Sequence, residues 1–358
     1  MIGVADAFAS SYAKARVKFL EAAATASARI ESFNHPLAGK EGEQLALDVA
    51  LDGDPQSKRL LIVSSGLHGV DGFGGSGVQV FALHDSEWRD KARAAGMAVL
   101  YLHALNPYGF SHLRYVTQEN VVLNRNFVDF TKPRPVNLLY RRAHSLLLPE
   151  VWPPDTANRE ALQALAGSSS DDAWLAALCA GQYEFPDGMF YGGHAPTWSH
   201  LTLHQLLARY VGHAEQIAWI DLHTGEGATA EAERVYVGCE DAKGLARARQ
   251  WWGEGVRPLH ESASPDASSL ATMWSSLTQA APQAECTEMV LKFGTACSGE
   301  VLDALRADHW LALHPMASSD VAAQIQSNLK RAFYTDADSW KGQVISQARQ
   351  AMFQSLGG

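Results

Sequence analysis

Three side chains that suit a metal ion follow two short apolar segments of this sequence. His68 and Asp71 come just after the apolar run Arg59–Ser65, inside a glycine-rich stretch. His223 comes just after the run at 216–221. Two imidazoles and one carboxylate are a sufficient ligand set for zinc, and they leave a position open for water. A tight loop can turn His68 and Asp71 towards one ion, since the flanking glycines permit the positive φ it needs. His68, Asp71 and His223 are therefore predicted to bind zinc.

The two apolar segments are predicted to be buried strands of a central sheet. Further strands are predicted at 43–49, Met97–His103, 234–238 and 284–293, and helices at 11–27, 77–84, 201–211, Ala242–Trp252 and 301–313. Strands that alternate with helices predict an α/β fold, in which functional groups gather at the carboxyl ends of the strands. The composition changes only at 149–171, which is predicted to be a surface excursion, so residues 1–358 are predicted to form a single domain.

The pattern His-x-x-Asp is a weak signal by itself in a chain with 14 histidines. A surface histidine, or a hydrogen-bonded histidine in the core, would produce the same pattern. The placement of His68 and His223 directly after two predicted strands favours the metal site. Asp221 is a candidate to orient an imidazole by accepting a hydrogen bond. The alternative is a strand-end carboxylate that caps a nearby turn.

Composition limits the partners and the compartment. Lysine and arginine number 29 against 39 acidic residues, and there is no basic run, so nucleic acid is an unfavourable partner. The sequence contains no run of about 18 apolar residues, so no membrane span is predicted. Residues 1–18 lack the pattern of a signal peptide. The four cysteines lack a C-x-x-C spacing and are predicted to be buried free thiols in the cytoplasm: Cys179, Cys239, Cys286 and Cys297.

Several blocks along nearly the whole chain resemble the zinc carboxypeptidase superfamily, which includes succinylglutamate desuccinylase and aspartoacylase. The chain is most similar to a bacterial branch known only as a domain of unknown function. The blocks lie at 12–19, 68–76, 106–110, 120–127, 190–193, 221–225 and 293–295. The resemblance implies a zinc carboxypeptidase-like α/β fold, with a mixed, mostly parallel sheet of about eight strands flanked by helices.

The resemblance also implies roles for particular residues. His68, Asp71 and His223 fall on the metal-ligand positions. Asn124 and Arg125 fall on the pair that holds a substrate carboxylate, a task for which a planar guanidinium is suited.

The sequence departs from the superfamily pattern at several of these positions. Asp71 replaces the usual glutamate ligand, and Lys292 stands where a glutamate normally accepts a proton from the metal-bound water. Tyr115 replaces an arginine that steadies the oxyanion, although Arg114 is adjacent and is predicted to take that role. Similarly, Val122 and Gln118 replace acidic residues.

Three residues are candidates for the missing base. Glu288 shares a strand face with Lys292, but four residues place it about 13 Å back along the strand. Glu226, three residues past His223, is closer to the predicted ion, and a solvated loop acid is the alternative. Lys292 itself would serve as a neutral base if its pKa were depressed, or as a stabiliser of negative charge.

The predicted function is zinc-dependent hydrolysis of an amide or peptide-like bond in a small molecule or short peptide that carries a carboxylate. Lys292, Glu226 and Arg114 are the predicted catalytic residues. The alternative is a degenerate or repurposed relative that binds zinc and a carboxylate ligand without hydrolysing it. Neither nucleic acid nor membrane is a predicted partner, and a homo-oligomer is compatible with the sequence.

Overall fold

The computed structural model describes residues 2–167, 171–238, 242–261 and 273–357. Eight strands of this part of the chain form one sheet: β1 (Arg29–Ala38), β2 (Gln44–Asp52), β3 (Arg59–Ser65), β4 (Met97–His103), β5 (Gln216–Glu226), β6 (Ala232–Tyr236), β7 (Arg257–Pro258) and β8 (Glu285–Ala296). Their order across the sheet is β1-β2-β4-β3-β5-β8-β6-β7. Neighbouring strands within β4-β3-β5-β8 are parallel, and so are β6 and β7. Three pairs are antiparallel: β1 with β2, β2 with β4, and β6 with β8.

The helices of the described residues are α1 (Val4–Ala7), α2 (Tyr12–Thr25), α3 (Gly72–His84), α4 (Ser86–Ala94), α5 (Pro107–His112), α6 (Leu138–Leu147), α7 (Thr156–Ala166), α8 (Asp171–Cys179), α9 (Trp198–Tyr210), α10 (Ala242–Trp252), α11 (Ser275–Ala280), α12 (Ser298–Leu313), α13 (Ser319–Phe333) and α14 (Asp338–Gln354). None of them is long and apolar enough to cross a membrane.

Both faces of the central strands are buried because successive side chains point to opposite sides. Along β3, Leu61 and Val63 join the apolar core beneath α2, α3 and α14, whereas Leu60 and Ile62 join the core beneath α9 and α11. This arrangement confirms the predicted α/β class and the mixed, mostly parallel sheet. The carboxyl ends of β3, β5 and β8 therefore meet at one edge.

The structure differs from the sequence predictions in one bound and adds two elements to them. Strand β5 continues to Glu226 and so includes His223, because β8 pairs with it through that residue. Strand β1 was not predicted, since it is an edge strand with mostly exposed side chains and lacks an apolar run. The predicted surface excursion at 149–171 contains helix α7, which begins after the capping side chain of Asp155.

The cysteines also differ from the prediction. Cys179 is buried, Cys286 is half-buried and Cys297 is exposed at the cap of α12, so burial was wrongly predicted for Cys297. The thiol of Cys297 is free. Cys239 lies outside the described residues.

Candidate metal centre

The loop between β3 and α3 is a tight turn built on two glycines. Gly66 and Gly69 have φ values of +68° and +61°, a conformation that other residues rarely adopt. At Gly69 the backbone also lies against a neighbouring segment, since a Cβ there would stand 2.5 Å from the carbonyl oxygen of Arg114. His68 and Asp71 are therefore held by a loop that leaves no room for a side chain at its bend.

Gly69→Ala is expected to lower the free energy of unfolding by about 1–3 kcal/mol, because a strained φ and a backbone contact act together. Gly96→Ala is the matched control. Gly96 has a φ of +65° but nothing within 4 Å of the new Cβ, so it isolates the backbone strain alone. Urea unfolding of both variants measures the difference. If Gly69→Ala and Gly96→Ala lower the free energy of unfolding equally, the contact with Arg114 adds nothing to the cost of the substitution.

The structure brings the three predicted ligands together. The backbone N–H of His68 donates to Asp71 Oδ1 over 3.2 Å, and Asp71 Oδ2 lies 3.2 Å from His223 Nδ1. The rings of His68 and His223 are 5.2 Å apart at their centroids, and all three side chains are buried.

The spacing of Asp71 and His223 fits a metal. Two zinc ligands in a tetrahedral arrangement are about 3.3 Å apart, close to the 3.2 Å between Asp71 Oδ2 and His223 Nδ1. Across the described ranges, however, no three His, Cys, Asp or Glu side chains are already grouped as a metal site. The donor types and this pair distance therefore fit zinc, while the complete set is not gathered around one point.

His223 is also bound on its other side. Its Nε2 lies 2.7 Å from Asp221 Oδ2, the contact expected from the sequence. Burial alone lowers the pKa of His223, but the attraction of Asp221 and Asp71 outweighs it and raises that pKa well above its ordinary value. The two carboxylates therefore favour the protonated ring, which has to lose a proton before it can ligate an ion.

Tyr115 and Arg114 flank His68. The Tyr115 ring stacks on the His68 imidazole with centroids 4.3 Å apart and planes inclined by 3°. The carbonyl of Arg114 accepts a hydrogen bond from the Val70 N–H, which attaches Arg114 to the ligand loop. Its side chain donates from Nε to Asp308 Oδ2 over 2.8 Å, and its Nη2 makes no hydrogen bond within the described residues. Asp308 was not identified from the sequence, because it lies far along the chain in α12.

Lys292 lies in an ion-pair cluster beside His223. In the β5–β8 ladder it is paired with His223, and in the β8–β6 ladder it is paired with Glu233, so all three share one face of the sheet. Its Nζ is 2.6 Å from Glu226 Oε1 and 3.0 Å from Glu233 Oε2. Burial alone lowers the pKa of Lys292, but the two carboxylates raise it above the ordinary value. These two ion pairs therefore favour the ammonium form of Lys292 over a neutral lysine base.

Glu226 reaches Lys292 because of a bulge. Strand alternation would place Glu226 on the face opposite His223, but the β5–β8 register shifts between Gly225 and Glu226 and turns its side chain. Glu233 was missed in the sequence, since only the antiparallel register of β6 reveals it. Glu288 is paired with Trp219 near the middle of β8, away from Lys292.

A cavity of about 20 Å³ lies between His223 and Lys292, with room for about one water molecule. Apart from these two residues its walls are apolar: Val235, Val237, Leu259, Trp274 and Val290.

The predicted carboxylate-binding pair lies in a short 3₁₀ turn, Leu123–Arg125. Asn124 Oδ1 accepts from the N–H of Met273, next to the cavity wall, and its Nδ2 has no hydrogen-bond partner among the described residues. Arg125 is fully buried and donates from Nη2 to the carbonyl of Cys179 over 3.1 Å. Asn124 is thus near the cavity, whereas this contact of Arg125 points to the end of α8.

Comparison with protein families gives a clear match. Residues 8–347 match a family model described as "Protein of unknown function (DUF2817)". The chain belongs to this family. A comparison of this DUF2817 protein with curated proteins finds no match.

Solved structures show the fold that this DUF2817 protein adopts. Bovine thrombin-activatable fibrinolysis inhibitor, in complex with tick carboxypeptidase inhibitor, is 10% identical over 97% of this chain and 96% of its own, with a TM-score of 0.53. A metallo-carboxypeptidase from Pseudomonas aeruginosa is 14% identical (84% of this chain, 68% of its own, TM-score 0.39). An aspartoacylase family protein from Mesorhizobium loti is 12% identical (80% and 67%, TM-score 0.35). The TM-score of 0.53 with the first of these structures confirms the predicted fold, and the DUF2817 match confirms the predicted similarity to a family of unknown function.

Proposed function

We propose that this DUF2817 protein is a zinc-dependent hydrolase of an amide or peptide-like bond in a small carboxylate-bearing substrate. The observation that carries the proposal is the 3.2 Å separation of Asp71 Oδ2 and His223 Nδ1, the spacing of two ligands of one ion. His68, on the same loop as Asp71, would be the third ligand. Zinc, when bound by these three residues, would polarise a carbonyl group and lower the pKa of water.

The surrounding residues supply the other functions that hydrolysis needs. Arg114 is held by Asp308 through Nε, which leaves its buried Nη2 as a donor for an oxyanion. Asn124 has an amide donor without a partner in the described part of the chain, and with Arg125 it would receive the substrate carboxylate.

Glu226 is the proton acceptor in this proposal. It is the carboxylate 2.6 Å from the Lys292 ammonium, which lies beside His223 in the sheet. Because Lys292 retains its own proton, it cannot replace the glutamate that the superfamily has at this position.

A second candidate function is a protein that binds zinc and a carboxylate ligand without hydrolysing it. The ion pairs of Lys292 with Glu226 and Glu233 favour it, since both carboxylates are already engaged. A screen of N-acyl amino acids and dipeptides with metal-loaded protein separates the two functions. Turnover supports the hydrolase, whereas full metal occupancy without turnover supports the binding protein.

Arg125→Ala is expected to weaken binding of a carboxylate ligand at least about tenfold, because a hydrogen bond to a charged group contributes about 1.5–3 kcal/mol. The amide form of the same ligand is the control, since it lacks the charge that the guanidinium pairs with. Calorimetric titration of both forms measures the difference. If the variant weakens acid and amide equally, Arg125 does not recognise the carboxylate.

A further inference from the structure

A continuous chain of hydrogen bonds joins four buried side chains behind the candidate metal centre. Trp219 Nε1 donates to Ser64 Oγ over 2.7 Å, and Ser64 Oγ donates to Asp221 Oδ1 over 2.5 Å. Asp221 Oδ2 lies 2.7 Å from His223 Nε2. Trp219, Ser64 and Asp221 are wholly buried, and His223 nearly so. We call these four side chains the Trp219 relay.

The sheet itself builds this relay. Trp219, Asp221 and His223 lie two residues apart along β5, so their side chains share one face of the sheet. Ser64 is paired with Asp221 in the parallel β3–β5 ladder. Ser65, the next residue of β3, points to the other face and donates to Gln79 instead. A one-residue change of register would break the relay.

The direction of each hydrogen bond in the relay follows from the chemistry of Trp219, the group at its start. An indole N–H can only donate, so Ser64 Oγ accepts from Trp219 and has its single proton available for Asp221. Because a carboxylate oxygen accepts, the hydrogen bond between His223 Nε2 and Asp221 Oδ2 places a proton on Nε2. The lone pair of a neutral His223 ring is thereby left on Nδ1, the nitrogen that faces Asp71 at 3.2 Å.

We infer that Ser64 and Trp219 are positioning residues that orient His223, through Asp221, so that Nδ1 is the metal-binding nitrogen. This inference deepens the proposed function and rests on it for the metal. The relay makes no contact with substrate. Its contribution is to hold one ring orientation and one tautomer, as hydrogen-bond partners of ligating histidines do.

Two variants break the relay, and each has a matched control. Ser64→Ala removes the donor to Asp221, whereas Ser65→Ala removes an equally buried hydroxyl from the opposite face. Trp219→Phe removes the indole donor, and Trp88→Phe removes a buried indole that donates to Tyr101. Ser64→Thr keeps the hydroxyl and is expected to restore the wild-type behaviour.

The test uses protein labelled with ¹⁵N-histidine, in which the His223 signal is assigned by its loss in His223→Gln. Exchange of the His223 Nε2 proton with water is measured without metal and with zinc, and the zinc Kd is measured by competition with a chelator. Ser64→Ala is expected to speed the exchange at least about tenfold and to raise the zinc Kd about 10–100-fold. Trp219→Phe should raise the exchange rate and the zinc Kd by smaller factors. Ser65→Ala and Trp88→Phe should leave the exchange rate and the zinc Kd unchanged.

The outcomes separate the relay from the metal proposal. Unchanged proton exchange in Ser64→Ala and Trp219→Phe would overturn the relay whether or not zinc binds. Faster exchange in a protein that binds no zinc in its wild-type form would support the relay and overturn the zinc site. Faster exchange with an unaltered zinc Kd would overturn the claim that the relay selects Nδ1 for the metal.

Discussion

His68→Ala and His223→Ala should each strip the protein of zinc, while the wild-type chain carries about one zinc per molecule. An open zinc site has three protein ligands, so losing one leaves a carboxylate and a single imidazole, which hold the ion far more weakly. Metal analysis after dialysis against metal-free buffer measures the content.

His200→Ala is the control for this experiment. His200 is also buried, but it stacks on Phe127 and bonds to Asn126, outside the candidate metal centre. It should retain the full zinc content. Stoichiometric zinc in both His68→Ala and His223→Ala would end the zinc-site proposal, since neither ring would then be needed to hold the ion.

Glu226→Gln should lower the rate of hydrolysis by about 10²–10⁴, the usual contribution of a general base. The amide cannot accept a proton, yet it keeps the size of the side chain and a polar contact to Lys292. Glu231→Gln is the matched control. Glu231 lines an open surface groove together with Glu226 and Lys292, but it is exposed and makes no ion pair with Lys292. Comparison of kcat on the best substrate of the amide screen gives the result, and equal rates for both variants would exclude Glu226 as the base.

Position 292 itself needs a charge-balanced variant. Lys292→Glu alone would set a third carboxylate beside Glu226 and Glu233, and breaking a buried ion pair costs about 3–5 kcal/mol. The double variant Lys292→Glu with Glu226→Lys keeps an ion pair and moves the carboxylate to the superfamily position of the base. A gain of amidase activity from near zero would identify a hydrolase that has lost its base. Loss of an existing activity in Lys292→Met, which leaves Glu226 in place, would instead show that the lysine is used.

If wild-type protein and the charge-swapped variant both hold zinc and neither turns over any amide or ester, the binding function replaces the hydrolase. The same result would leave the Trp219 relay intact, because that relay is judged by proton exchange at His223 and by zinc affinity.

The sequence by itself determined much of the fold. Strands β3 and β4 and helix α10 were predicted with the bounds that the structure shows, because uninterrupted apolar runs and helical periodicity are local signals. The glycines around His68 likewise predicted a turn with positive φ. Edge strand β1 was missed, since a strand that buries few side chains needs no apolar pattern.

Only the tertiary structure decided which groups meet at the carboxyl edge of the sheet. Glu233 joins Lys292 through an antiparallel register, and Ser64 joins Asp221 through a parallel one. A bulge turned Glu226 to their side, which simple alternation would have forbidden. Strand register depends on contacts between segments that are far apart in the chain, and a shift of one residue reverses every side chain. The residue types of the site can therefore be predicted from the sequence, but their hydrogen-bond and ion-pair partners cannot.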